Sequence, residues 1–208
     1  MLALEDNRFV TSASWDEYSK FLAAVGDRPI RVTYDRGRLE IMSPSPAHEK
    51  AKKLLATLLE SILADWDQDY EALGSMTFRR EDLDRGLEPD ECYWFKKTLA
   101  VRDLEEFDFT RDPAPELVIE VEITSSVINR LGLFHALGVD EVWSLTRKGE
   151  LLVLSWQEDG YHESPVSRVL AGFPAPQMVR WLQPGELTRP QLVRACVQWA
   201  RPFNAAGR

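Results

Sequence analysis

Glu116-Leu117-Val118-Ile119-Glu120-Val121-Glu122 is a short aliphatic and β-branched run in the middle of a 208-residue chain, and it favours an extended strand. Side chains alternate across a strand, so Glu116, Val118, Glu120 and Glu122 project to one face while Leu117, Ile119 and Val121 project to the other. Carboxylates sharing one face of an apolar strand are costly. Ionised acids repel and resist desolvation unless water, a cation or a metal compensates. The bland alternative is an edge strand whose acidic face is simply wet.

Earlier in the chain, Glu88-Pro89-Asp90 opens a second strand-like stretch, Asp90 to Phe95. An Asp from one strand, a Glu from its neighbour and the carbonyl after that Glu make a hard, all-oxygen site suited to Mg²⁺. Such an ion polarises a phosphoryl oxygen and lowers the pKa of a bound water, which in-line phosphodiester hydrolysis requires. Pro89-Asp90 alone is weak. Joined to Glu120-Val121-Glu122 it gives the P-D…(D/E)-x-K pattern of restriction-type nucleases, with Glu122 standing where the Lys is expected.

Outward from this pair, the patterning predicts an α/β chain. Ser14-Trp15-Asp16-Glu17 has the form of a capping box and starts a helix running to Gly26. Ile30 to Tyr34 and Leu39 to Met42 form a hairpin around Asp35-Arg36-Gly37. After Ser43-Pro44-Ser45-Pro46, Leu54, Leu55, Leu58, Leu59, Ile62, Leu63 and Trp66 recur at helical spacing, predicting a helix from Ala47 to Trp66. Ala72 to Arg79 reads as a strand, Arg80 to Pro89 as a connection and Asp103 to Pro115 as a loop. A helix capped by Ser125 or Ser126 follows the acidic strand, lined by Val127, Leu131, Phe134 and Leu137 and ended by Gly138. Glu141 to Leu145 and Leu151 to Trp156 form a second hairpin around Lys148-Gly149, with a partner strand expected at Val166 to Leu170. The tail, Pro190 to Phe203, reads as an amphipathic helix that covers a sheet edge or meets a second subunit. This order implies a mixed sheet flanked by helices. One domain is expected over 1–208, with an N-terminal helix and hairpin (13–43), a core (44–156) and C-terminal strands and helix (157–208).

Composition bounds the function. With 44% hydrophobic residues, seven Trp and nine Phe, the chain can bury a substantial core. No apolar run approaches the ~20 residues that span a bilayer, and Glu5, Asp6 and Arg8 do not follow the order of a signal peptide, so a cytoplasmic location is expected. Cys92 and Cys196 lack the number and spacing of a disulfide framework or zinc site and are expected in the core. The formal charge of −9 argues against a broadly basic nucleic-acid-binding protein. Charge is uneven, however: residues 28–53 carry seven basic side chains (Arg28, Arg31, Arg36, Arg38, Lys50, Lys52 and Lys53) against three acidic ones, and Arg79, Arg80 and Arg85 add a second cluster. Either these form a basic face or they are solvated surface residues.

Four blocks in fixed order are familiar: Tyr34-Asp35-Arg36-Gly37-Arg38-Leu39-Glu40-Ile41-Met42-Ser43-Pro44-Ser45-Pro46-Ala47-His48-Glu49, Glu88-Pro89-Asp90, Pro115-Glu116-Leu117-Val118-Ile119-Glu120-Val121, and Leu137-Gly138-Val139-Asp140-Glu141-Val142-Trp143. Together they resemble the Uma-type putative restriction endonuclease family over residues ~30 to ~175. The resemblance implies a restriction-endonuclease-like fold of the PD-(D/E)xK kind. It also implies Asp90 and Glu120 as metal ligands, the Val121 carbonyl as a third, and Glu49 as an acid that orients metal-bound water. The missing lysine leaves three options. A cation comes from elsewhere, with Arg130 the first candidate and Lys96 another; Glu122 binds a second metal; or the site no longer cuts. Arg130 could act only electrostatically, since a guanidinium is no general base. His48 is either a proton shuttle or a hydrogen-bonding residue near a helix start.

Three functions fit these residues. The first is Mg²⁺-dependent cleavage of DNA, with Mn²⁺ as an alternative ion. The second is a non-catalytic module that binds nucleic acid or protein. The third is a small-molecule or nucleotide phosphodiesterase. The expected partner is nucleic acid, with DNA the substrate named first, and no residue in the sequence distinguishes DNA from RNA. A homodimer would suit cleavage of both strands of a duplex.

Overall fold

The computed structural model describes residues 7–26, 28–122, 126, 128–183 and 185–204. It opens on an edge strand that patterning does not reveal, β1 (Asn7–Ser12), whose side chains are almost all solvent-facing. Helix α1 (Trp15–Val25) follows with its expected capping box: the Ser14 hydroxyl accepts from the Glu17 N–H, and the Glu17 carboxylate accepts from the Ser14 N–H at 2.7 Å. The hairpin forms as read, β2 (Arg31–Asp35) with β3 (Arg38–Ser43). Arg36 (φ 45°) and Gly37 (φ 88°) supply the left-handed turn that two-residue hairpins demand.

Helix α2 (Pro46–Asp65) begins one residue earlier than expected, with Ser45 accepting from the His48 N–H at 3.2 Å and Pro46 in the first turn, where its missing N–H costs nothing. Leu55, Leu58, Leu59, Ile62 and Leu63 are fully buried along its inner side, each contributing about 1.5–3 kcal/mol of apolar transfer. The expected strand Ala72 to Arg79 is two: β4 (Glu71–Leu73) and β5 (Phe78–Arg80), in different sheets. The chain bends at Gly74-Ser75 and crosses between the sheets there. Nor is Arg80 to Pro89 a bare connection, since it holds a 3₁₀ turn (Glu81–Leu83) and β6 (Arg85–Leu87).

After β6 come β7 (Glu91–Trp94), the one-turn helix α3 (Thr98–Val101), the acidic strand β8 (Leu117–Val121), α4 (Arg130–Leu137), β9 (Glu141–Leu145) and β10 (Leu151–Gln157). The expected cap at Ser125 and the lining residue Val127 lie outside the described residues. Among those described, Asn129 caps α4 by accepting from the Gly132 N–H, Leu131, Phe134 and Leu137 face the core, and Gly138 (φ 82°) ends the helix. The partner strand of β10 is β11 (Gly160–Ser164), not Val166 to Leu170. That later segment turns back because Ser167 and Arg168 donate to the buried Glu141 carboxylate. Helix α5 (Arg189–Ala200), followed by a 3₁₀ turn at Arg201–Phe203, packs on α2.

Two sheets result. The smaller runs β1-β3-β2-β6-β5 and is antiparallel throughout. The larger runs β11-β10-β9-β8-β7-β4 and is mixed, with β8 and β9 parallel across the α4 crossover. The acidic strand is therefore central, with β7 and β9 on either side, and the edge-strand alternative is removed. Its alternation holds: Leu117, Ile119 and Val121 face α2 and α5, and Val118 faces α4. Both cysteines are buried and free, and no helix among the described residues is long and apolar enough to cross a membrane.

Candidate active site

Glu88-Pro89-Asp90 is the three-residue connector that carries the chain from β6 in the smaller sheet to β7 in the larger one. The junction brings Asp90 to the end of β8 that holds Glu120. Both acids are buried, 3% and 6% exposed. The Asp90 Oδ2 atom accepts from the Val121 N–H at 2.8 Å and from His48 Nε2 at 3.0 Å. Its Oδ1 atom lies 4.0 Å from Arg31 Nε. Because the N–H and C=O of an extended residue leave the same edge of its strand, the Val121 carbonyl also faces the Asp90 side.

Arg130, in the first turn of α4, ties the site together. Its Nη2 donates to Glu120 Oε1 at 2.8 Å and to the Glu88 carbonyl at 3.0 Å, and its Nη1 donates to Thr33 Oγ1 at 2.7 Å. Burial drives the Glu120 carboxyl up to about 7, against the pull of Arg130 and with the charge of Asp90 adding to the rise. Burial acts on Asp90 as well, but there the His48 hydrogen bond and charge, the Val121 N–H and Arg130 outweigh it and hold the acid below its ordinary value. Two adjacent acids are thus pushed apart in proton affinity, as happens where a site is short of positive charge.

Sequence reasoning named most of this constellation. His48 is fully buried; its Nε2 bonds Asp90, and its Nδ1 lies 3.4 Å from Glu49 Oε1 without a hydrogen bond between them. Glu49, half-exposed, lies 3.4 Å from Lys52 and 3.8 Å from Arg31. Glu122 is exposed; its N–H donates to the Leu145 carbonyl, and its charge adds a little to the rise in Glu120. Lys96 is not brought to the site. It is exposed beyond the far end of β7, roughly 20 Å from Asp90 at strand spacing, beside a cavity of about 250 Å³ lined by Glu116, Asp140 and Glu141.

Three contributors went unrecognised: Arg31, Thr33 and Glu88. Arg31 and Thr33 share the face of β2 opposite Val32 and Tyr34, which pack toward α1. That alternation was legible. What no local pattern reveals is that the polar face of the smaller sheet closes over the end of β8. Glu88 is half-buried; burial raises its carboxyl despite Arg31 nearby, and its Oε1 accepts from Thr77 at 3.1 Å.

The donor set suits a hard divalent ion. Asp90, Glu120 and the Val121 carbonyl offer only oxygen, and among the described residues no group of three or more His, Cys, Asp or Glu side chains forms a ready cage. An ion here would keep several waters, as Mg²⁺ prefers.

The chain matches the family model Uma2, described as "Putative restriction endonuclease", over residues 15–187. It belongs to the Uma2 family. This Uma2-family chain is also similar in fold to a solved structure described as a putative nuclease belonging to DUF820, from Anabaena variabilis ATCC 29413. The TM-score is 0.52 at 16% identity, over 88% of this chain and 99% of that one. Identity that low speaks for the fold alone. No curated protein matches.

Proposed function

We propose that this chain is a divalent-metal-dependent endonuclease that hydrolyses DNA phosphodiester bonds, with Mg²⁺ or Mn²⁺ held by Asp90, Glu120 and the Val121 carbonyl. The observation that carries the reading is the buried Asp90–Glu120 pair at the sheet junction, with the Glu120 proton affinity raised to about 7 and oxygen as its only donor type. The ion supplies Lewis acidity and a lowered pKa for water at the phosphate. The chain's own residues do the rest. His48 and the Val121 N–H fix one Asp90 oxygen and so aim the other; Arg130, bonded to Glu120, would supply the permanent positive charge that the expected Lys at position 122 does not, and Glu49 is near enough to His48 to orient water or pass a proton. A second reading, a binding module that does not cut, is favoured by the 2.8 Å Arg130–Glu120 pair, which already balances one of the two acids.

Titrating Mg²⁺ and Mn²⁺ into the wild type and an Asp90→Ala/Glu120→Ala double variant, while following metal binding and nicking of supercoiled DNA, tests the proposal. Binding and nicking should vanish together in a variant that stays folded. Metal binding without nicking leaves the module reading, and no metal binding removes the catalytic assignment.

A further inference from the structure

Arg31 is the most unusual cation in the molecule. Its side chain is 13% exposed, yet its guanidinium makes no hydrogen bond among the described residues. Three carboxylates surround it at lengths too great for one: Glu49 Oε1 at 3.8 Å from Nη2, Glu88 Oε2 at 3.9 Å from Nη1, and Asp90 Oδ1 at 4.0 Å from Nε. Arg130, 11% exposed, shares the unpartnered buried Nε but makes three hydrogen bonds of 2.7–3.0 Å through its two Nη atoms. The Arg31 Nε–H is buried without a partner, and a donor desolvated in that way costs about 1–3 kcal/mol. A residue serving only as counter-charge would close those gaps, since each carboxylate stands only about 1 Å beyond ordinary hydrogen-bond length.

We infer that Arg31 is a substrate-contacting residue whose fork receives the non-bridging oxygens of the phosphodiester to be cut. The inference rests on the nuclease reading of the site. A phosphodiester shares its negative charge over two non-bridging oxygens at the spacing of a guanidinium edge, and so matches both the charge and the planar donors of Arg31. Arg31 also faces Asp90 Oδ1, the oxygen that His48 and Val121 leave clear, so the phosphate would lie between Arg31 and the ion-binding oxygens. The three surrounding acids oppose an anion in the absence of a cation. Duplex binding through Arg31 is therefore coupled to a divalent ion, even one that does not support cleavage.

Binding of a short fluorescein-labelled DNA duplex, followed by anisotropy in Ca²⁺ and in EDTA, tests this with wild type and Arg31→Lys. Lysine keeps the counter-charge and removes the fork. The expected result is a loss of about tenfold or more in Ca²⁺-dependent affinity for Arg31→Lys. In the wild type, the Arg31 Nε–H resonance, assigned through bonds, should shift when duplex is added in Ca²⁺. This second measurement holds even if the variant folds poorly. A wild type that binds duplex with an unmoved Arg31 resonance, or a folded Arg31→Lys that binds within twofold of wild type, overturns the inference and leaves the nuclease reading standing. A wild type that binds no duplex in either buffer overturns both.

Discussion

Glu141 at the start of β9 and Glu120 near the end of β8 are both buried, 0% and 6% exposed, in adjacent strands of the same sheet. Glu141 accepts four hydrogen bonds of 2.6–2.8 Å, from Trp143 Nε1, Ser155 Oγ, Ser167 Oγ and the Arg168 N–H. Among the described residues Glu120 accepts from Arg130 alone, and burial lifts its carboxyl to about 7. The first acid is enclosed by donors that the fold itself supplies, and it organises the turn after β11. The second is enclosed without them. A buried carboxylate given its full complement of donors is part of the architecture, whereas one left short of donors beside a second acid keeps acceptor capacity that the described residues do not fill.

The sharpest way to break this contrast is to exchange the two acids in the same assays. Glu141→Ala leaves four buried donors unpaired and should cost on the order of 3–5 kcal/mol in urea unfolding, with Mg²⁺ affinity unchanged in whatever remains folded. Glu120→Gln should do the reverse, losing about 100-fold in Mg²⁺ affinity with little or no loss of stability, because it removes a desolvated charge. Equal stability losses for the two would sink the distinction.

A smaller effect sharpens it. At pH below about 7 the Glu120 carboxyl retains a proton that an ion must displace, so calorimetric Mg²⁺ affinity should fall about fivefold from pH 7 to pH 6, with proton release on binding. In metal-free protein the sign for stability is opposite. A carboxyl raised above its ordinary 4.5 contributes stability that is fully present below that value and is lost as pH rises through about 7. Affinity that is flat across this range would mean that Glu120 does not bind the ion. The smallest effect concerns Lys96→Ala, far from the junction, which should leave nicking within about twofold of wild type in a supercoiled-plasmid assay.

Much of this was legible. The capping box at Ser14, the leucine periodicity of α2 and the Asp35-Arg36-Gly37 turn are local signals, and each element forms where its residues call for it. The alternation in Glu116 to Glu122 is also local, and it correctly separates the α2-facing from the α4-facing side chains. What the chain conceals is pairing between distant segments. Ala72 to Arg79 has the composition of one strand, but only its partners, Cys92 for Leu73 and Leu87 for Phe78, reveal that its halves belong to different sheets. Likewise, Val166 to Leu170 is β-prone, and the demand of Glu141 for donors overrides that propensity. Arg31 looked like one member of a surface charge run because its three carboxylate neighbours arrive from α2 and from the connector between the sheets.

That connector also bears on how the chain can change. Leu87 and Glu91 are anchored in separate sheets by their strand partners, with Pro89 restricting the backbone between them. A hairpin tip such as Lys148-Gly149 can grow or shrink with only its own turn affected. One residue added or lost within 88–90 would rotate Asp90 off the face it shares with Val121 and His48. Length variation among descendants of this sequence should therefore be tolerated at the tips and forbidden at the junction, and any attempt to graft new specificity onto the scaffold has its freedom in the former.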